Sequence, residues 1–580
     1  MGIVYDIFIS ATLGILALTA IVVVYRSLTG RGGEIGGLQL RGAAARIRAV
    51  ARVTFAEGIR ARVAVVFIGL HVVTLPVLCL AARGDGTIKG QVQMFLGYSL
   101  GLTAFYLSLL TVFFAARTLS TEIASHQIYL LAAKPLPRWQ LLAGKWVGIT
   151  ALNVLLVLFA CGVTYGGARW LVYRFQRTLA RELVQRGGLS ADQADDCVAA
   201  ISGVRGPGGK GADSPVVPAV ARALGWTNDQ VIALFRRLPE ALRLNLRRLD
   251  ELRRQVFVAR AAVRPEPPDL TPEIDKEYAA RLKAGTLPQG PAWPVKTIRK
   301  EIETQLLAPY SNVSYLEARG WRLKGPAPRG DDEQFLLSVR YKVHCAAYSP
   351  EVALPDGTHL PENTFLAQWI VGDQTKSSVF VWPSEPQPAP VDAFQEIEVP
   401  NRVVEPDGTI QLIMRNMDPR GLIAIIGFNE GLEVLYRVGS FEQNVAMAGL
   451  ALLIPLGFLA AFGLLMSTFC SFQVAALVCL VMLGVSASGG ILKDALEISN
   501  WNQPDALSTH DEIRLAVTDA VLSAAWLGDV DPSERLLDGR AITWGDLGAL
   551  AGRVLGIRGG VVMLVAILVF RRRELAAVTV

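Results

Sequence analysis

Long apolar runs alternate with basic and polar stretches along this chain. Ile7–Tyr25 stands alone, Val63–Leu80, Phe95–Ala116 and Trp146–Gly166 form a second group, and Ala446–Met466, Val474–Ile491 and Val554–Phe570 form a third. A bilayer core of roughly 30 Å needs about 20 apolar residues per helix, so each run is expected to span a membrane or nearly so. The first run has no basic residue before it and no small-residue cleavage site after it, so it reads as a span and not as a signal peptide. Arg553 and Arg558 crowd the start of the last run, and Arg558 is expected to snorkel to the interface.

Between the second and third groups lies a large polar region. Gln176–Leu307 reads as helical: Ser190 with Gln193 makes a capping box, and Thr227–Val263 carries leucines at helical spacing. Arg236, Arg237, Arg243, Arg247, Arg248, Arg253 and Arg254 line the other face of that stretch. They read as a solvated face paired with Glu240, Asp250 and Glu251, or as a surface for lipid headgroups or an anionic envelope polymer. The proline-rich segment Pro265–Pro272 interrupts the helices.

From Asn312 to Gly439 the period changes to two. Phe335–Val343, Phe365–Val371, Ser378–Trp382, Phe394–Val399, Thr409–Met414 and Leu422–Phe428 are strand-like runs, separated by turn signals such as Pro355-Asp356-Gly357 and Pro406-Asp407-Gly408. This spacing predicts a β-sandwich of jelly-roll or immunoglobulin-like type. Trp369 and Trp382 sit within the runs, where they pack a core or, alternatively, face a glycan. Glu430–Phe441 leads directly into the fifth span.

The loop Arg117–Gly148, RTLSTEIASHQIYLLAAKPLPRWQLLAGKWVG, joins the third and fourth runs. In its first half Ile123, Ile128 and Leu131 can share one helical face, with Glu122, Ser125 and His126 around it. Pro135 and Pro137 end that helix, and Arg117, Lys134, Arg138 and Lys145 make the loop basic, which places it in the cytoplasm. It suits either a docking element for a cytoplasmic partner or an ordinary amphipathic connector.

The order Glu-Ile, polar helix, Leu-Leu, Lys-Pro, Pro-Arg, Leu-Leu-Ala-Gly-Lys in that loop resembles the first cytoplasmic loop of ABC transporter permeases of the type-2 exporter class. Ala51–Val63 (ARVTFAEGIRARV) resembles the elbow helix of that family, with Phe55, Glu57 and Arg60 as its matching residues. Ser467–Leu480 resembles its tight cytoplasmic turn, and Arg571–Leu575 the basic stop after its last span. The match covers about 48–168 and 442–575. It implies a six-span permease core that docks a separate ABC ATPase subunit through Glu122, Ile123, His126, Ile128, Leu131, Lys134 and Arg138. It also implies a second permease copy or homologue, and ATP with Mg bound only in the partner, with no cofactor in this chain.

Composition agrees with spans plus an aqueous domain: 52% of residues are hydrophobic, 19% are charged and the mean hydropathy is +0.37. The net charge of +6 is small for 580 residues and argues for membrane orientation, not for nucleic acid. Eight arginines between Arg26 and Arg62 place that segment inside, so the N-terminus is expected outside, with 167–445 outside and Arg571–Arg573 inside. Arg169, Arg174 and Arg177 follow the fourth span on the outer side, where long translocated domains obey the charge rule poorly.

Catalytic signals are sparse. The five histidines show no HExxH or paired spacing. The GxSxG match, Gly97–Gly101, lies inside an apolar run, so Ser99 reads as a helix-packing residue. Gly203–Gly211 fails as a phosphate loop, since Gly211 follows Lys210 and no apolar strand precedes it. Cys197 and Cys345 face the outer side, where a disulfide is permitted. His71 reads as a histidine bonded to a neighbouring helix, or as part of a polar pathway.

The expected protein is a polytopic α-helical membrane protein, a six-span permease core plus an N-terminal extra span, with an extracytoplasmic α + β-sandwich domain. Its parts are the extra span (1–25), a cytoplasmic basic segment with the elbow helix (26–62), core spans 1–3 (63–166) with the coupling loop 117–145, and an outer helical region (167–311). The sandwich (312–445), core spans 4–5 (446–491), an outer segment (492–553) and the last span with its tail (554–580) complete it. It is expected in a cell inner membrane, in contact with lipid, as a non-enzymatic permease subunit for export or envelope remodelling. The alternative is a membrane-anchored envelope- or glycan-binding or sensory protein without transport.

Overall fold

The structure is a computed structural model, and it describes residues 34–82, 86–125, 137–202, 216–287, 295–325, 336–345, 347–353, 359–373, 380–428, 431–487 and 532–572. The run Ile7–Tyr25 and the loop Gly203–Gly211 lie outside these residues. Helix α1 (Glu34–Arg60) turns at Arg62, whose backbone is left-handed at φ 59°, directly into α2 (Val63–Ala81). Helix α3 (Ile88–Ala124) starts at Thr87, whose side chain accepts from Gly90 N–H. Helix α4 (Arg138–Gly187) has 50 residues and is therefore about 75 Å long, far beyond the apolar thickness of a bilayer.

The far end of α4 packs into a helical layer of α5 (Ala191–Ser202), α6 (Val216–Leu224), α7 (Asn228–Arg237) and α8 (Glu240–Gln255). The Ser190/Gln193 capping box is present, with reciprocal bonds of 3.2 Å. The expected helix over Thr227–Val263 is corrected: it divides at Leu238-Pro239 and ends at Gln255, and Val258–Val263 is strand β1. Its arginine face is also corrected in part. Arg253 is buried and bonds Asp250 at 2.9 Å, and Arg254 reaches both Asp250 and Glu398, so these two are structural and not solvated. Two further helices come next, α9 (Thr271–Ala284), whose first turn holds Pro272 at the end of the proline-rich segment, and α10 (Val295–Ser311).

The strands are β2 (Asn312–Val313), β3 (Ala318–Lys324), β4 (Leu336–Lys342), β5 (His344–Cys345), β6 (Val352–Ala353), β7 (His359–Leu360) and β8 (Thr364–Val371). They continue as β9 (Trp382–Pro383), β10 (Gln387–Pro390), β11 (Phe394–Pro400), β12 (Thr409–Asn416), β13 (Ala424–Ile425) and β14 (Leu432–Ser440). One antiparallel sheet has the order β1-β14-β4-β11 and a second β10-β8-β12-β3 with β9 on β8. Residues alternate buried and half-buried along β8, and their inner faces meet in one core. The Trp369 ring of the second sheet lies 4.8 Å from the Tyr341 ring of the first, tilted by 48°. At 1% exposure Trp369 is a core residue and cannot present a glycan platform.

Strand β14 runs without a loop into α11 (Phe441–Ser467), where the Ser440 side chain caps Gln443 N–H. Helix α12 (Phe472–Ala487) follows after a short turn. The short α13 (Pro532–Leu537) precedes α14 (Trp544–Ala551), a π-helical stretch Gly552–Gly559 and α15 (Gly560–Arg572), which together form one rod. The glycine-rich GRVLGIRG composition lowers the cost of that irregular stretch. Among the described residues, five helices are long and apolar enough to cross a membrane and α12 is a shorter apolar helix. This is a membrane protein with a β domain.

Candidate functional site

Two junctions lie at opposite ends of the helix bundle, and α3 connects them. From Lys89 to Glu122 that helix rises roughly 50 Å.

At the end that carries the 117–145 loop, Lys145 Nζ donates to Glu122 Oε1 at 2.7 Å and to the Thr118 carbonyl at 3.4 Å. Lys145 is 2% exposed and the Glu122 side chain 19%, so the lysine is buried and its partner half-buried, and the two hold one another. Gly144 and Gly148, one turn apart on α4, let α1 approach: a Cβ on Gly144 would meet Val50 Cβ at 2.6 Å, and one on Gly148 the Ala51 carbonyl at 2.7 Å. That approach brings Glu57 into the same cluster. Burial pushes the Glu57 carboxyl up, Lys145 and Arg117 pull it down, and Glu122 pushes it up again.

The expected docking and elbow residues separate into groups. Phe55 packs on the bundle core, Glu57 joins Glu122 and Lys145, and Arg60 is exposed. Ile123 is half-buried against the cluster of Leu119, Leu142 and Phe570. Arg138 Nη1 donates to the carbonyls of Phe570 (2.6 Å) and Arg571 (2.9 Å), satisfying the carbonyl end of α15. His126, Ile128, Leu131 and Lys134 lie outside the described residues. Arg117–Ala124 does not form a separate helix; it extends α3 unbroken. Lys145 was expected only as one of the basic residues of the loop; its burial against Glu122 was not foreseen, and the signal for it was a lysine followed directly by an apolar run.

At the other end the sandwich is joined to the bundle by the segment Asp538–Ile542. Arg260 N–H donates to the Gly539 carbonyl and Ala541 N–H to the Arg260 carbonyl, each at 2.7 Å, which adds this segment to the edge of β1. Arg340 pairs with Asp538 at 2.7 Å, Arg540 with Glu433 at 2.5 Å, and Arg260 with Glu396 at 2.8 Å. Asn444 of α11 donates to the Arg540 carbonyl and accepts from Ile542 N–H, and Gln93 of α3 reaches the Leu537 carbonyl. Gly539 is left-handed at φ +62°, and a Cβ there would stand 2.0 Å from the Gln255 carbonyl, so no other residue fits.

A cavity of about 330 Å³ opens beside this joint, lined by Lys89, Glu251, Arg260, Arg340, Glu396 and Asp538 among others. Its charges are largely matched within the protein. Lys89 bonds Gln255, and burial raises the carboxyls of Asp250, Glu251 and Glu398 in the adjoining wall. The joint can transmit force, because a sheet, two membrane-length helices and the start of the last rod share it.

Within the bundle, His71 Nε2 lies 3.0 Å from Thr103 Oγ1 and Nδ1 3.2 Å from the Phe67 carbonyl, so the histidine is bonded to the neighbouring helix. Ser99 is fully buried and bonds Thr164 at 2.5 Å on α4, a helix-packing position. Cys197 and Cys345 are free thiols, so the permitted disulfide is not formed; burial pushes them up to about 12 and about 11. Among the described residues no group of three His, Cys, Asp or Glu side chains is arranged to hold a metal. Comparison with known proteins supplies no relative: no family model matches, and no curated protein or solved structure matches significantly.

Proposed function

We propose that this chain is the permease subunit of an ATP-driven ABC transporter of the type-2 exporter class, working in export or envelope remodelling. A separate ATPase binds ATP-Mg and docks on the loop 117–145 and on α1 from the cytoplasm, and a second permease copy or homologue completes the pathway. The sandwich lies on the outer side of a cell inner membrane.

The observation that carries this reading is the pair of buried Lys145 with half-buried Glu122, with Glu57 beside it. It ties the elbow helix and both stems of the loop into one unit, as a surface pushed by a motor requires. Helix α3 of that unit continues to the sandwich joint, where Gln93 reaches the Leu537 carbonyl, so a push at one end tilts an element that meets the other. Helix-in-groove docking concentrates binding in a few apolar anchors.

Affinity capture of the tagged chain from membranes tests the proposal. An ATPase with Walker motifs is expected to copurify with wild type and to be lost with Ile128→Asp, which buries an unpaired carboxylate in the docking surface. Equal recovery with both chains sinks the assignment of the loop, and no ATPase with wild type moves the envelope-binding reading ahead.

A further inference from the structure

An open groove of about 400 Å³ runs along the bundle surface between α4 and α11. Val154, Leu158 and Gly162 form one wall, and Ala446, Leu450 and Leu453 the other. Gly162 keeps it open, since a Cβ there would meet nothing within 4 Å. Leu158 is 65% exposed and Leu450 41%, so the groove faces the surroundings of two membrane-length helices.

Only one end is polar. There the Tyr165 hydroxyl donates to Glu442 Oε1 at 3.0 Å, and the Arg169 guanidinium lies 5.9 Å from the Tyr165 ring centre. Beyond it along α4, Arg174 stacks on Trp170 and Arg177 on Tyr173. Exposed tryptophan and tyrosine beside arginine mark the headgroup level of a bilayer. From Tyr165 down to Val154 the helix descends about 16 Å. That is the depth of one leaflet of a hydrocarbon core about 30 Å thick.

We propose that the groove holds one acyl chain of a resident phospholipid with a primary-amine headgroup, its phosphate on Arg169 and its ammonium on Glu442. The length of the apolar part matches one chain, and the cation and anion at its mouth match the two charges of that headgroup. A carboxylate offers about four lone-pair sites, so Glu442 can accept from the lipid ammonium while it accepts from Tyr165. A quaternary amine has no N–H to give, and a glycerol headgroup has no positive charge.

Native mass spectrometry of the full chain tests this, with the protein released from mixed micelles of equimolar palmitoyl-oleoyl phosphatidylethanolamine, phosphatidylcholine and phosphatidylglycerol. Wild type is expected to retain one phosphatidylethanolamine per chain in preference to the others. Gly162→Leu, at an exposed helical position that the substitution favours by propensity, fills the groove and loses it, and Ala446→Leu does so from the facing wall. Arg169→Gln lowers retention of all three lipids by about tenfold, whereas Glu442→Gln lowers only phosphatidylethanolamine, to the level of phosphatidylcholine. Equal retention of the three lipids by wild type, or unchanged retention in both groove-filling variants, overturns the proposal. None of these outcomes depends on an ATPase partner.

Discussion

Arg340 and Asp538 lie 198 positions apart in the chain and meet at 2.7 Å, which fastens a central strand of the sandwich to the segment that enters the last membrane-length rod. Glu433 lies 3.5 Å from the same guanidinium and 2.5 Å from Arg540, so the pair belongs to a charged strip across β4, β14 and the joint. A sandwich held this way is fastened to the helices by charged pairs. A freely tethered one would not need buried arginines.

Gly539 is the position on which that joint most depends. Gly539→Ala places a methyl against the Gln255 carbonyl in a left-handed backbone, a strain of about 1–3 kcal/mol before the clash is relieved. Hydrogen exchange is expected to quicken at the amides of Arg260 and Ala541, which bond across the joint, while the amides of α3 stay protected. Unchanged exchange at both amides would show that the joint is not held there.

Lys145 and Glu122 should behave as a unit. Lys145→Met leaves the half-buried Glu122 carboxylate without its cation and is expected to cost about 3 kcal/mol, the lower end for a buried pair, read as a fall in the detergent-solubilised melting temperature. The double change Lys145→Met with Glu122→Leu removes both charges and is expected to recover most of the loss. Additive losses in the double variant would mean that the two charges are not coupled.

Acid should loosen the sandwich through Asp418. Burial alone would raise this carboxyl; bonds from the Arg420 guanidinium and from the N–H groups of Leu366 and Arg420 outweigh it and hold it below its ordinary value. Unfolded, the group titrates near about 3.9. Its folded value lies lower, so its stabilisation is complete above the unfolded value and is lost as pH falls through the folded one. The protection factor of the Leu366 amide, with the intrinsic slowing of exchange in acid divided out, is expected to fall on acidification in wild type. In Asp418→Asn it should already be low at pH 7, with about 3 kcal/mol of sandwich stability gone. A variant as protected as wild type at pH 7 rules this role out.

The membrane-length helices were legible in the sequence because each is an apolar run long enough to dominate its window. The strands β8 and β12 were legible because their burial alternates cleanly. Strand β1 was not: its alanine and arginine continue the composition of α8, and only pairing with β14 makes VARAAV extended. Strand β14 hid for the opposite reason, since Leu432–Leu435 is buried on both sides and shows no alternation. The joint was illegible because its partners, such as Arg260 and Asp538 at 278 positions, share no local pattern. At the loop end, Glu57, Glu122 and Lys145 all fall in the stretches that carried the resemblance, but the pairing of Lys145 with Glu122, 23 positions apart, left no local pattern.

Membrane sidedness carries the whole account, and single-cysteine labelling in intact cells measures it most directly. With a membrane-impermeant maleimide, and wild type setting the background, Asp407→Cys and Lys210→Cys are expected to label from outside. Lys134→Cys and Arg41→Cys are expected to label only after the membrane is opened. Labelling of Lys134→Cys in intact cells would contradict the account, because an outward-facing loop cannot dock a cytoplasmic ATPase.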